Sequence, residues 1–125
     1  DVPRYMDMMG KYLSGLGEDA LPGDYGKAAQ SLYYAAGGKL KEADHKQAIA
    51  WLEKAIPAEP VLMNKINYLV MVGDSYKELK NYAEAKKYYN QAYAESLQMA
   101  SMEQAQQMIQ ASVVYKLSTL ELLQQ

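Results

Sequence analysis

Asn81-Tyr82-Ala83-Glu84-Ala85-Lys86-Lys87-Tyr88-Tyr89-Asn90-Gln91-Ala92 decides the fold, because the same pattern already occurs once upstream. Asp44-His45-Lys46-Gln47-Ala48-Ile49-Ala50-Trp51-Leu52-Glu53-Lys54-Ala55 lies 37 positions earlier. Ala48 coincides with Ala85, Leu52 with Tyr89 and Ala55 with Ala92. A weaker third copy begins at Asp24-Tyr25-Gly26-Lys27-Ala28 and continues to Leu32 and Ala35. Self-similarity at a fixed period of this length marks a stacked-repeat architecture.

Each copy reads as the start of an amphipathic helix. Asp44 and Asn81 are expected to cap the first free backbone N–H groups, and Gln47 and Glu84, three residues on, complete a capping box. Ala, a large apolar residue and Ala then follow at spacings of four and three, which is one helical face. Small residues on that face let a neighbouring helix approach closely.

Working outward, the pattern predicts six helices and an all-α fold. They run near Pro3–Leu16, Asp24–Ala36, Asp44–Ile56, Val61–Leu79, Tyr82–Gln98 and from Ser101 to about residue 124. Pro3 suits a first helical turn, and Gly15, Gly17, Pro22 and Gly23 break the first helix. Pro57 and Pro60 end the third. Ser101 with Gln104 is the expected cap of the sixth. Its apolar face is Ile109, Val113, Leu117 and Leu120, with Gln106, Gln107, Gln110 and Lys116 keeping the rest wet. No segment alternates as a half-buried strand does. The expected organisation is a single domain over residues 1–125, with helix pairs near 24–56 and 61–98 and flanking helices near 3–16 and 101–124.

The stretch Gly73-Asp74-Ser75-Tyr76, with Asn81-Tyr82, Ala85, Tyr89 and Ala92, resembles the tetratricopeptide repeat. Leu69 holds the place where that family often has Trp. Leu32, Ala36, Ala48, Leu52, Ala55 and Pro60 fall in step as a second, degenerate copy, although the 37-residue period exceeds the family's 34. The resemblance implies an antiparallel helix-pair superhelix whose concave groove, lined by the first helix of each pair, holds a partner's peptide or helix. Carried over, the groove residues are Gln30, Tyr33 and Gly37, then Asn67, Val70, Met71, Asp74 and Lys77. Tyr33 and Gly37 occupy positions where one subtype carries Lys and Asn to grip a C-terminal carboxylate, so that mode is not expected.

Composition narrows the function further. The net charge is −2, from 13 basic and 15 acidic residues spread along the chain. No basic patch of the kind that displaces counterions from phosphate is present, so a nucleic-acid partner is not expected. No apolar run approaches the ~20 residues of a membrane span. There are no cysteines and one histidine, so neither a disulfide nor a zinc site of ordinary type is expected. His45 follows the expected cap, where Tyr82 stands in the other copy, and is expected at a surface or rim position. Glu18-Asp19 and Glu42-Asp44 are expected in solvated loops, not across a cleft as paired carboxylate catalysis requires. The expectation is therefore a non-enzymatic protein-interaction module without cofactor or metal. The alternative is a structural segment of a longer repeat protein, or a self-associating subunit that uses the terminal helix, where Val114, Leu122 and Leu123 lie off the main apolar stripe. The chain starts at Asp1 and not at Met, as a processed form or a fragment would. With 12 tyrosines and no phenylalanine, the chain suits many half-buried positions. The Tyr33-Tyr34 and Tyr88-Tyr89 pairs are each expected to place one ring inward and one outward.

Overall fold

A computed structural model of the chain describes residues 10–11, 22–36 and 40–124. Among these, all regular structure is helical. The helices are α1 (Pro22–Ala36), α2 (Glu42–Ala55), α3 (Leu62–Glu78), α4 (Tyr82–Ser96) and α5 (Glu103–Leu123), with a 3-10 turn at Ile56–Ala58. The helix expected over Pro3–Leu16 lies outside the described residues except for Gly10 and Lys11, which are helical. The chain divides into two compact units, Asp1–Pro60 and Val61–Gln125.

In the first unit α1 packs on α2. Ala28, Ala29 and Leu32 of α1 and Ala48, Leu52 and Ala55 of α2 are essentially inaccessible. Trp51 is buried beside them, and Lys54 of α2 places its ammonium 4.7 Å from the Tyr25 ring centroid. In the second unit α4 packs against both α3 and α5. Its buried row, Ala85, Tyr89 and Ala92, matches that of α2 position for position. The large residue thus sits between two alanines in both copies, as the 37-residue register requires. Because Ala85 is fully buried on the face that packs against neighbouring helices, Ala85→Leu is expected to cost roughly 1–3 kcal/mol through overpacking. A chemical denaturation midpoint unchanged by that substitution would place the residue on the surface instead.

The helix ends correct several expectations. Asp44 is not the cap of α2. The cap is Lys41, and Asp44 stands at the third helical position, where its carboxylate accepts from the Lys41 N–H at 3.3 Å. Glu42 and Ala43 are competent helix formers, so the helix gains two residues and satisfies the same orphan donor from inside. His45 is consequently buried, with 8% of its surface exposed. It lies three and seven residues before Ala48 and Leu52, which is the inward face, and its ring meets that of Tyr33 at 6.3 Å. The cap Asn81 is as expected: its side chain accepts from the Glu84 N–H. The helix it starts ends at Ser96, earlier than the expected Gln98. Residues 97–102 form turns anchored on buried Met99, with Met99 N–H donating to Ser96 and Met102 N–H to Met99. The turns delay α5, whose cap is therefore Met102 and not Ser101.

The α3–α4 connection is tight. Lys80 adopts φ 63°, while the Lys80 N–H donates to the Lys77 carbonyl and the Asn81 N–H to the Tyr76 carbonyl, both at 2.9 Å. This is a Schellman closure with lysine at the left-handed position where glycine is commonest.

Candidate protein-interaction site

The face of α3 implied by the resemblance carries Asn67, Val70, Met71, Asp74 and Lys77. Asn67 is exposed, and the other four are half-buried. They run alongside the buried row Ile66, Leu69, Val72 and Gly73. Helical geometry explains the arrangement: positions 67, 70, 74 and 77 recur at three and four residues, one stripe displaced from the core stripe.

Asp74 has a further role that periodicity did not reveal. The Tyr89 hydroxyl donates to its Oδ1 at 2.5 Å. Lys116 of α5 donates to Oδ1 at 3.0 Å and to Oδ2 at 3.3 Å. The carboxylate therefore ties α3 to α4 and α5 and sits in a fixed orientation at the edge of the stripe. Both charged partners are about one-third exposed, so water screens the pair and its contribution is of the ordinary size for such contacts, ~0.2–1 kcal/mol.

The polar residues of α5 are likewise engaged and not merely wet. Gln106 donates to the Ser96 carbonyl at 2.9 Å and Gln110 to the Ser96 hydroxyl at 3.2 Å, while that hydroxyl donates to the Tyr93 carbonyl. Buried Ser96 is thus fully used, and two amides one turn apart fix α5 on the end of α4. Lys65 and Glu95 add an α3–α4 ion pair at 3.2 Å. Gln107 alone of the four expected wet residues is exposed.

In the first unit, Gln30 is exposed and Tyr33 is half-buried against His45, while Gly37 lies outside the described residues. Tyr34 is the outward ring of its pair, 91% exposed. Tyr88, the other outward ring, stacks on Tyr76 with centroids 5.7 Å apart.

Among the described residues, no three His, Cys, Asp or Glu side chains gather where they could hold a metal ion, and no helix is long and apolar enough to cross a membrane. The architecture is that of a helix-hairpin repeat protein: paired helices packed through alanines, with a mixed polar and apolar stripe on the first helix of a hairpin. Residues 66–98, the α3–α4 hairpin, match the family model described as tetratricopeptide repeat, and the chain carries a repeat of that family. No curated protein and no solved structure matches the chain. Domains of this family are generally non-enzymatic protein–protein interaction modules, and the matching repeat suggests a module of that kind.

Proposed function

We propose that the second unit binds a short extended or helical segment of a partner protein along the α3 stripe Asn67, Val70, Met71, Asp74 and Lys77. Gln30, Tyr33 and Gly37 are the corresponding set in the first unit, with Tyr33 as its aromatic anchor. The observation that carries the reading is the state of the α3 stripe. Its residues are left at least partly accessible beside a fully buried row, and they combine an apolar floor, an amide, a base and an acid held in place by Tyr89 and Lys116. A pre-oriented acceptor loses little freedom on binding, which favours affinity. The mixture suits a partner offering one apolar anchor flanked by hydrogen-bonding groups, and no nucleic acid or cofactor is required.

The test begins with capture of a partner from native lysate and identification of its bound segment by peptide sequencing. Binding of that segment is then titrated against the full chain and its Val70→Glu and Lys77→Glu variants. Both substitutions leave the Asp74–Tyr89–Lys116 link intact. Each is expected to raise the dissociation constant about tenfold or more, with unchanged far-UV circular dichroism. Undiminished binding by two folded variants would remove the α3 stripe as the site.

A further inference from the structure

The last helix presents a second surface, unrelated to the α3 stripe. Met108, Tyr115 and Leu122 are 74%, 74% and 70% exposed and are spaced seven residues apart on the side of α5 opposite buried Val113 and Leu120. Ala111 and Ser118 stand between them, both exposed. This spacing is that of the a and d positions along a two-helix seam. Val114 and Leu123, also exposed, flank it. A solvated helix face normally carries charge. Here the side chains of α5 that are both exposed and charged at neutral pH are Glu103 and Glu121, both on one rim, because Lys116 is turned toward Asp74.

We infer that this face is a self-association surface, on which α5 of a second copy of the chain packs antiparallel. The alternation of large and small residues selects the occupant. A parallel pair would set large against large and leave voids at the alanine and serine layers, which costs packing. An antiparallel pair sets Tyr115 against Ser118 of the second copy and Leu122 against its Ala111, so the same pattern supplies both knobs and holes, as a two-fold interface demands. In that register no two like charges oppose each other, since Glu121 falls near the second copy's Ser112. The five large exposed side chains offer on the order of 500 Å², taking 150–200 Å² for each when fully exposed. A standard interface buries about 800 Å² per partner. The association is therefore reversible, and α5, 21 residues long, supplies its apolar centre.

Sedimentation equilibrium of the full chain, from low micromolar to about 1 mM, tests this. The mass is expected to rise from one chain toward two. Tyr115→Glu and Leu122→Glu, at exposed positions, are expected to keep the helical content and raise the dissociation constant about tenfold or more. Ala111→Leu distinguishes specific packing from general stickiness. It adds apolar surface but fills the hole that receives Leu122, so it is expected to weaken association. A chain monomeric at 1 mM overturns the inference and leaves the face to a different protein. An Ala111→Leu variant that associates more strongly than the parent overturns it too, because interdigitation would then not be the driving contact.

Discussion

Gly73→Ala is expected to lower the unfolding free energy by about 3 kcal/mol, at the upper end of what overpacking costs. Elsewhere in a helix the same change is favourable by roughly 0.5–1 kcal/mol, because glycine loses the most backbone entropy on folding. Here a Cβ would stand 2.5 Å and 2.6 Å from Cε1 and Cδ1 of the Tyr89 ring and 3.1 Å from its Cζ. The ring has nowhere to go. It is fully buried, and its hydroxyl is bonded to Asp74, itself tied to Lys116. Urea denaturation followed by far-UV circular dichroism measures the effect, and a double-mutant cycle identifies its cause. Tyr89→Ala alone costs roughly 3–5 kcal/mol, as loss of a buried aromatic side chain does. In that background the space beside residue 73 is empty, so Gly73→Ala should turn neutral or mildly stabilising. If Gly73→Ala costs the same with and without the ring, the glycine is required for a reason other than Tyr89.

The match between Gly73 and Tyr89 shows what a single sequence does and does not reveal. The register was legible because it is carried by residue size on one face. Ala48, Leu52, Ala55, Ala85, Tyr89 and Ala92 are all at most 1% exposed, and a buried row tolerates few sizes. The α3 stripe was carried over from the family resemblance, and its place one step around the helix from the buried row accounts for its partial exposure. The partners of its polar members were not. Lys116 lies 42 positions from Asp74, and no periodicity of α3 or of α5 announces a pairing across that distance. Gln106 and Gln110 likewise read as surface amides until Ser96 is seen beneath them. His45 was misplaced for a local reason: its three- and seven-residue spacing to Ala48 and Leu52 was visible, but a first-turn position was equated with the rim. The outer stripe of α5 was seen in part through Leu122, with Val114 and Leu123 beside it. Met108 and Tyr115, which complete its seven-residue spacing, carry no mark in sequence that separates an exposed apolar residue from a buried one.

The first copy of the repeat carries different sizes at the same register positions. Where the second sets Gly73 and Tyr89 into corresponding positions, the sequence 37 residues earlier sets Ala36 and Leu52, a larger residue in one place and a smaller one in the other. Leu52 should therefore fill its site as fully as Tyr89 fills its own, and Leu52→Ala is expected to cost about 4 kcal/mol. The usual range for a buried leucine is ~2–5 kcal/mol, depending on how far the surroundings collapse into the void. Collapse is expected to be limited here. The residues that share this core include Ala28, Ala29, Ala48 and Ala55, and an alanine has no rotamer with which to reach into the space left behind. Leu52→Met, which keeps the volume, should cost less than about 1.5 kcal/mol. The chain provides its own probe: Trp51 is the only tryptophan and is buried in this unit, so its fluorescence reports the transition directly. Denaturation followed at that tryptophan should show a large loss for Leu52→Ala and a small one for Leu52→Met. A loss below about 1 kcal/mol for the alanine variant would mean that residue 52 does not occupy the place of Tyr89, and the 37-residue equivalence of the two hairpins would fail with it.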